Sequence, residues 1–533
     1  MELFDYIIIG SGFGGSVSAM RLAEKGYRVL VLEQGKDFKD KDFPKTNWNF
    51  KRYLWIPLLH CFGIQKISFF KNVLVLSGTG VGGGSLVYAN THIKPKDSFF
   101  TNKQWRHLND WKSLLEPHYQ TAKMMLGSVV APNHYLEDTI LKSVAEDMNK
   151  LDSFNSVEVG VYFGNQKQND NDPYFNGYGP KRDACQLCAG CMVGCRYNAK
   201  NTLTKNYLYF AKYYGCEILS QRKVEKIELE NDTYSITTFS MKCYPLKLKK
   251  KVFQAKHVIV SAGVLGTLDL LFKQKYLYKT MPNLSSKLGY YVRTNSESLL
   301  GVSAKSDIKL NHGVAISSVF EPDEDTHIEI VKYPNRSSLM KMLAGPAIDE
   351  KEPKKRSFYF FKLIFRHPVN FIKSFLGKNW ANRSIILLVM QSLDNSMKLT
   401  FKRFPFKRLS FDKHYHDDVP SYIESGQKVM HRYAKKINAQ ALNAMTETVF
   451  NMSTTAHILG GVPMAKSIND GVINSRFEVH GYPNLLILDG SVIQGNLGVN
   501  PSLTITAISE YAISLIPEKP RNRNTPLEEL MSQ

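Results

Sequence analysis

The chain has 533 residues, of which 43% are apolar and 12% aromatic, so it can bury a core larger than that of one simple domain. Its formal net charge of +21 comes from dispersed lysines and arginines. Without a zinc-finger, homeodomain or RNA-binding signature, this charge predicts no nucleic-acid partner. Seven cysteines are too few for a disulfide-rich secreted scaffold, and neither a signal segment nor a membrane-spanning apolar run is recognisable. We therefore expect a cytoplasmic protein of two joined domains.

The first residues predict a dinucleotide-binding unit. An apolar run over 5–9 predicts a buried strand, and the turn 10–15 that follows has the spacing GxGxxG before a helical segment. In such a turn Gly10 permits the sharp bend, Gly12 lets the backbone approach a pyrophosphate, and Gly15 lets the helix pack closely on the strand. The phosphates would then face the N-terminus of the helix.

The next segment favours a nucleotide over a simple glycine turn. Residues 27–32 predict a second buried strand, and Glu33 stands at its end, where a carboxylate can accept hydrogen bonds from both ribose hydroxyls. A glycine turn without a ligand would not explain an acidic residue at this spacing.

Three later segments predict further cofactor contacts. Residues 74–85 contain too many glycines for a strand interior and too few polar residues for a linker, so we expect them to lie against a flat ligand. Residues 258–263 predict a strand that turns into a helix, and residues 484–490 predict a buried strand that ends in Asp-Gly. A single cofactor site built from both ends of a chain is typical of flavoproteins.

Together these segments resemble the glucose–methanol–choline (GMC) oxidoreductases, and among them the cholesterol oxidase-like branch. The resembling motifs follow the family's order over nearly the whole chain and comprise 10–15 with Glu33, 78–87, 261–266, 456–461 and 489–507. The resemblance implies bound FAD. The residues that it places at the cofactor are Gly10, Gly12, Phe13, Gly14, Gly15, Glu33, Gly78, Gly82, Gly83, Gly84, Ser85, Asn90, Ala262, Gly263, Asp489, Gly490, Asn500 and Pro501.

The same resemblance implies how FAD is arranged. It places Glu33 on the adenosine ribose, Asp489 near the ribityl and pyrophosphate region, and the turn 82–85 beside the isoalloxazine ring. Some relatives bind FAD covalently through a histidine after the glycine-rich stretch. The residues around His92 do not match that motif, so we predict non-covalent FAD.

Alcohol oxidation needs a hydride acceptor and a group that takes or holds the hydroxyl proton, and histidine suits the second task near neutral pH. Among fourteen histidines, His457 lies in a run of small residues that leave space around its ring. The resemblance places this histidine at the flavin, with Asn500 as the amide that hydrogen-bonds the substrate oxygen. Otherwise His457 would be an ordinary histidine and Asn500 a turn residue before Pro501. We predict that His457 and Asn500 are catalytic.

Glu329 is the third catalytic candidate. Its alternation with apolar residues over 327–334 predicts a strand, on which its carboxylate would face solvent. The segment is also similar to the stretch where steroid-oxidising relatives carry a carboxylate that moves a ring proton during double-bond isomerisation. That role requires an apolar cavity around the carboxylate, and both interpretations stay open.

Four cysteines have the spacing C-x2-C-x2-C-x3-C, and they are Cys185, Cys188, Cys191 and Cys195. This is the spacing of bacterial ferredoxins. However, Arg196 replaces the proline that usually follows, and a cluster would want a further thiolate such as Cys216 or Cys243. From the sequence we favour structural thiols or a disulfide pair over an iron–sulfur cluster or zinc, and we assign no metal.

The sequence predicts an α/β protein with a Rossmann-type FAD-binding domain built from both chain ends and a smaller α+β substrate domain with a β-sheet. The predicted boundaries are 1–294 and 447–533 for the FAD-binding domain and 295–446 for the substrate domain, with the cysteine loop 185–195 in the first part. In the substrate domain we expect strands around Leu299, around Ile328 and over 384–392.

Residues 354–380 interleave aromatic and cationic side chains, and Pro368 should divide them into two short helices. The segment is either an amphipathic helix packed on the core or an interfacial helix at the substrate entrance. The mixture of aromatic and basic residues favours the interfacial helix, and with it peripheral membrane contact.

These observations predict FAD-dependent oxidation of a bulky apolar alcohol, a sterol or hydroxysteroid first, with oxygen or a redox partner as the electron acceptor. Two alternatives remain, namely a flavin-containing isomerase or lyase on the same fold and a non-catalytic lipid-binding flavoprotein. Anaerobic mixing with a hydroxysteroid separates them, since only an oxidoreductase would reduce its flavin.

Overall fold

The computed structural model describes residues 2–164, 171–369, 371, 379–404, 408–416 and 419–532. Its α-helices in these ranges are Phe13–Glu24, Phe50–Tyr53, Asp97–Phe100, Trp111–Leu126, Leu136–Asp147, Tyr207–Tyr213, Val264–Lys273, Pro353–Arg366, Trp380–Arg383, Glu424–Lys436, Met445–Phe450, Ser502–Ser514 and Leu527–Ser532. A π-helical turn, Gln274–Tyr278, extends the helix that begins at Val264.

The first of two large sheets is mixed and is built from both ends of the chain. Its strands in spatial order are Glu217–Leu219, Val29–Leu32, Leu3–Ile9, Lys251–Val260, Thr233–Ser240 and Arg222–Glu230. The last residues of Lys251–Val260 also pair in parallel with Leu485–Ile487. Helix Phe13–Glu24 is buried along its length between this sheet and helices Tyr207–Tyr213 and Ser502–Ser514. This covering explains why the parallel strands are almost continuously apolar, and it confirms the predicted α/β fold.

The second large sheet is antiparallel, and its strands in order are Ala344–Pro346, Ala439–Ala444, Ser298–Ala304, Ser384–Gln391, Thr326–Val331, Ser318–Phe320 and Phe154–Ser156. Helices Glu424–Lys436 and Leu136–Asp147 pack against it and share its apolar core. Helix Leu136–Asp147 and strand Phe154–Ser156 come from the segment 1–294 that we assign to the other domain, so the predicted boundaries do not coincide with the sheets there.

Smaller sheets join these two units. The three-stranded one consists of Gln65–Phe69, Val73–Gly78 and Ser453–Thr455, and the pairs are Trp55–Ile56 with Cys61–Phe62, Val129–Val130 with Glu158–Val159, and Met397–Lys402 with Arg408–His416. Strand Ser453–Thr455 runs parallel to Val73–Gly78. Both strands lead directly into predicted site motifs, so this pairing brings the glycine-rich segment next to the His457 motif.

The amphipathic segment 354–380 begins as helix Pro353–Arg366, which ends shortly before Pro368. Proline at position 353 suits the first turn of a helix, where its missing N–H has no partner to lose. Residues 370 and 372–378 of this segment lie outside the described residues, and so does the second helix that we predict there.

Candidate active site

Two joined cavities have volumes of about 520 and 290 Å³; the larger is lined by the first sheet and its connections, and the smaller extends to the second sheet. They share five lining residues, which are Gly12, Gly78, Gly84, Ser261 and Gly263. The larger cavity follows the carboxyl ends of the parallel strands, where ligands of open α/β sheets bind. Its position and its continuation into the smaller cavity fit a dinucleotide with a flat ring system at one end.

The first glycine turn is shaped to admit a ligand. Gly10 has φ of +102°, and a Cβ there would lie 2.2 Å from the carbonyl oxygen of Ser261, so no larger residue fits. At Gly12, by contrast, a Cβ would meet no atom within 4 Å. Gly12 therefore presents bare backbone to the cavity, as close approach of a pyrophosphate requires.

Glu33 is buried and lines the larger cavity, at the end of strand Val29–Leu32. Its carboxylate accepts hydrogen bonds from the backbone N–H of Ser11 at 3.1 Å, from the Ser11 hydroxyl at 2.8 Å and from the Gly35 N–H at 2.7 Å. Burial raises the pKa of Glu33, while these hydrogen bonds oppose the rise. The side chain is thus fixed beside the place where a ribose would lie.

Most of the other predicted cofactor residues line the same space. Those in the walls of the cavities are Gly10, Gly12, Phe13, Gly14, Gly78, Gly83, Gly84, Ala262, Gly263, Asp489, Gly490, Asn500 and Pro501. Gly15, Gly82, Ser85 and Asn90 lie outside both linings. Gly15 serves packing, since a Cβ there would lie 2.1 Å from the Gly10 carbonyl oxygen. Asn90 is buried beside Cys191.

Asp489 and His92 differ in their relation to the cavities. Asp489 lines the smaller cavity, and its carboxylate accepts hydrogen bonds from the Thr267 hydroxyl at 2.5 Å and the Ser491 N–H at 2.8 Å. His92 is absent from both linings, and its Nδ1 is hydrogen-bonded to the Ser128 hydroxyl at 2.7 Å. Burial lowers the pKa of His92 to about 3, so its ring is a neutral core group.

His457 lines the smaller cavity and is held by a buried carboxylate. Its Nδ1 is hydrogen-bonded to Glu297, whose other oxygen accepts the backbone N–H of Ala456 at 2.8 Å. Burial by itself would lower the pKa of His457. The Glu297 carboxylate outweighs that effect, with help from Glu329, and the pKa of His457 is raised.

Asn500 lines the same cavity, and Glu329 lies behind it. The Asn500 Nδ2 donates to Glu329 Oε2 at 3.2 Å, and the other Glu329 oxygen lies 3.2 Å from Nε2 of His327. His327 Nδ1 is 3.5 Å from Glu321, which reaches the surface. Glu329 is completely buried, so the expectation of a solvent-facing carboxylate is wrong, because both faces of strand Thr326–Val331 are covered.

The remaining wall of the smaller cavity is largely apolar. It is formed mainly by the second sheet and its connections, through Met192, Leu299, Ile316, Val331, Tyr333, Met340, Ile386 and Leu388. An apolar pocket with a few convergent polar groups is the usual form of a small-molecule site. Here His457 and Asn500 are among the polar groups in the lining, together with Glu297, which holds His457.

The four cysteines of the C-x2-C-x2-C-x3-C run line a different cavity, of about 460 Å³. All seven cysteines are free thiols, so the structure contains no disulfide at this loop. Cys216 and Cys243, the suggested additional ligands, are not in the lining of this cavity. Across the described ranges, no three histidine, cysteine or acidic side chains are placed to hold one metal ion.

Sequence reasoning missed Glu297 and His327. Glu297 holds His457 from a position 160 residues earlier in the chain, and His327 touches Glu329 from two residues away on one strand face. The spacing of His327 and Glu329 was visible, since alternate strand residues point to the same side. Nothing in the sequence around Glu297 pointed to His457.

Comparison with known proteins agrees with this site. Models described as GMC oxidoreductase match residues 178–274 and 411–509, and one described as an NAD(P)-binding Rossmann-like domain matches residues 8–38. The chain is 42% identical to a cholesterol oxidase of Mycobacterium tuberculosis, over 97% of this chain and 91% of the relative. It is 39% identical to a cholesterol oxidase of Acinetobacter baumannii, over 97% and 95% of the two chains.

One more distant relative and two solved structures are also similar to the chain. A long-chain-alcohol oxidase of Arabidopsis thaliana is 23% identical over 96% of this chain and 66% of the relative. Crystal structures of a formate oxidase and of a pyridoxine 4-oxidase from Mesorbium loti share the fold, with TM-scores of 0.62 and 0.60 at 13% and 14% identity. The match to the formate oxidase covers 97% of this chain and 98% of the formate oxidase chain. The match to the pyridoxine 4-oxidase covers 96% of this chain and 99% of that chain.

The Rossmann-type sheet, the dinucleotide cavity and the apolar pocket with its histidine define an FAD-dependent alcohol oxidoreductase. The residues present fit FAD, because Gly12 leaves backbone open to the cavity and Glu33 and Asp489 stand at its walls. The chain belongs to the GMC oxidoreductase family and, within it, to the cholesterol oxidase-like branch. No helix among the residues that the structure describes is both long and apolar enough to span a bilayer.

Proposed function

We propose that this protein oxidises a bulky apolar alcohol, a sterol or hydroxysteroid first, with non-covalently bound FAD. The observation that carries the proposal is the presence of His457 and Asn500 in the wall of a cavity that is otherwise mainly apolar. The two cholesterol oxidases among the relatives support a sterol as the substrate and oxygen as the electron acceptor. The position of His92 away from the cavities supports non-covalent attachment.

His457 takes the hydroxyl proton. When bound, FAD supplies the hydride acceptor at the flavin N5. Because Nδ1 of His457 is engaged by Glu297, Nε2 is the ring nitrogen left for the substrate. The raised pKa of His457 makes this nitrogen a better base, and the Glu297 carboxylate stabilises the imidazolium that forms when the proton arrives.

Asn500 orients the hydroxyl group. Its Nδ2 end is fixed by Glu329, while its Oδ1 is buried and has no hydrogen-bond partner among the residues that the structure describes. A buried, unpaired carbonyl oxygen is costly unless a ligand supplies a donor. The alcohol has one O–H hydrogen and His457 takes it, so Asn500 holds the substrate oxygen through the second hydrogen of Nδ2, and Oδ1 is left for another donor of the bound ligands.

Glu329 acts first as the residue that positions Asn500. Transfer of a ring proton during double-bond isomerisation stays a prediction, because the carboxylate lies behind Asn500 and outside the cavity lining. Replacement by glutamine separates the two roles. If Glu329 moves the ring proton, Glu329→Gln reduces its flavin with a hydroxy-5-ene steroid but releases the unconjugated ketone. If Glu329 only positions Asn500, flavin reduction slows and the ketone has its double bond at the same position as the wild-type product.

Anaerobic stopped-flow flavin reduction by a hydroxysteroid tests the proposed chemistry. His457→Gln and Asn500→Leu should each keep FAD and slow reduction by about 10²-fold or more. The double variant should lose less than the product of the two effects, because both groups act on one oxygen atom. His431→Gln, an exposed histidine paired with Asp349, is the matched control and should reduce at the wild-type rate.

The possible outcomes also decide between the alternatives. Wild-type rates in both single variants would remove His457 and Asn500 from the mechanism. Flavin that stays oxidised with every hydroxysteroid and long-chain alcohol, while the substrate is consumed, would indicate an isomerase or lyase. Sterol binding without any turnover would indicate a lipid-binding flavoprotein.

We further propose that helix Pro353–Arg366 docks on an anionic bilayer from which the substrate is taken. Phe358, Phe361 and Phe365 follow helical spacing and are 63%, 46% and 81% exposed. Lysines of the same helix surround them, as in interfacial helices. Phe365→Ser should lower co-sedimentation with anionic vesicles by about tenfold. Phe404→Ser, an equally exposed aromatic outside the helix, should not, and equal binding by both variants would refute the docking face.

A further inference from the structure

We propose that Cys185, Cys188, Cys191 and Cys195 hold a four-iron iron–sulfur cluster in the 460 Å³ cavity that they line. The sequence alone favours structural thiols and asks for a further thiolate for a cluster. In the fold all four cysteines line one cavity, so the fourth is available to the same cluster and neither Cys216 nor Cys243 is needed. The inference concerns a second cofactor site and does not depend on which alcohol the enzyme oxidises.

The four cysteines line one common cavity and none of them is in a disulfide. Cys191 is also part of an apolar cluster, against which Cys185 and Cys195 pack, so the loop brings the four together from one side. A single-ion site is not formed among the described residues. A cluster places several irons and sulfides between the thiolates, so its ligands stand further apart than the ligands of one zinc ion.

The loop directs backbone N–H groups toward the sulfur atoms. The N–H of Leu187 donates to Cys185 Sγ at 3.4 Å, and the backbone of Gly190 is hydrogen-bonded to Cys188. The loop is anchored from outside, because Gly313 donates to the Leu187 carbonyl at 2.9 Å and its own carbonyl accepts another loop N–H. Hydrogen bonds of this kind stabilise thiolates and tune clusters that they ligate.

The charged side chains that line the cavity are cationic, which favours a bound anion. Its lining contains the cationic residues Lys45, Arg196, Lys200 and Lys309 together with His312, and it contains no aspartate or glutamate. Four of these five side chains could be balanced by solvent. Lys200 could not, because it is only 1% exposed.

Lys200 is therefore the most informative of these groups. Its ammonium donates to the carbonyl oxygens of Leu86, Tyr88 and Cys191 at 3.1, 2.9 and 2.8 Å. All three of these partners in the described part of the chain are backbone carbonyls, and none is a carboxylate. A cluster on four thiolates would place negative charge directly beside this buried amine.

The cysteine cavity adjoins the active site. Met192, next to Cys191 in a single 3₁₀ turn, lines the apolar substrate cavity, and Tyr88 lines that cavity while its carbonyl binds Lys200. A cluster held here would share this wall with the flavin site. The same turn would then carry both a cluster ligand and a substrate-pocket residue.

Iron and sulfide analysis of the full-length holoenzyme tests the proposal. The protein is purified without oxygen, with and without reconstitution by ferrous iron and sulfide, and FAD, iron, zinc and acid-labile sulfide are counted per chain. We expect about four irons and four sulfides per chain, and a paramagnetic signal after dithionite reduction that flavin alone does not produce. Cys188→Ser and Cys191→Ser should lose most of the iron while they keep FAD.

Two further cysteines provide matched controls. Cys243→Ser and Cys216→Ser lie outside the cavity and should keep the wild-type iron content; loss of iron in either would overturn the ligand assignment. Less than about one iron per wild-type chain after reconstitution, or zinc in its place, would overturn the cluster itself. The wild-type measurement decides even if a serine variant fails to fold.

Discussion

Replacement of Glu297 by glutamine is the sharpest test of how the active site is organised. Glu297 is buried, binds Nδ1 of His457 and accepts the N–H of Ala456 at 2.8 Å. Glutamine keeps the size and one acceptor but removes the charge. The proposed base then loses the group that holds its ring and stabilises its protonated form.

The size of the effect follows from the contact that is lost. A hydrogen bond to a charged group contributes about 1.5–3 kcal/mol. If that contribution is realised when His457 is protonated in the transition state, Glu297→Gln lowers kcat/KM by roughly 10- to 200-fold. The sign of the pH effect is also determined. Because Glu297 raises the pKa of His457, its removal lowers that pKa, and the acidic limb of the pH profile moves to lower pH.

Anaerobic flavin reduction by a hydroxysteroid, measured as a function of pH, is the assay. Glu447→Gln is a matched control, since Glu447 is also buried but burial raises its pKa to about 8, so the replacement changes no charge at neutral pH. Near neutral pH, the Glu447→Gln control should retain the wild-type rate and pH dependence. A Glu297→Gln variant with an unchanged rate and an unchanged acidic limb would refute the coupling of Glu297 to His457.

Three further predictions concern cofactor binding and stability. Gly12→Ala should fold normally but lose FAD affinity, because its Cβ enters the cavity, whereas Gly14→Ala should unfold, because its Cβ would lie 1.9 Å from the Leu488 carbonyl oxygen; circular dichroism and FAD content distinguish them. Acid precipitation should release yellow flavin into the supernatant, and a yellow pellet would contradict the inert role of His92. Burial raises the pKa of Glu447 from 4.5 to about 8, so Glu447 adds to the free energy of unfolding at acid pH. This stability is lost as pH rises from 4.5 through about 8, at about 1.4 kcal/mol per pH unit. The melting temperature of Glu447→Gln should therefore fall less steeply from pH 5 to pH 9 than that of the wild type. Parallel curves for the two proteins would contradict the raised pKa of Glu447.

Local patterns in the sequence were sufficient for the dinucleotide-binding unit. Strand Leu3–Ile9, the glycine turn and helix Phe13–Glu24 lie close to where apolar runs and glycine spacing predict them. These elements are predictable because periodic burial and turn geometry act over a few neighbouring residues. The predicted strands around Leu299 and Ile328 are confirmed for the same reason.

The tertiary structure decided what surrounds the chemistry. The contact of His457 with Glu297 spans 160 residues and that of Asn500 with Glu329 spans 171, and no local pattern connects positions so far apart. Strand alternation alone put Glu329 in solvent, but cover on both faces of its sheet buries it. The cysteine spacing was plain in the sequence, whereas the burial of the Lys200 amine beside it exists only in the fold. Burial and electrostatic balance depend on everything that packs around a group, so only the three-dimensional structure could decide them.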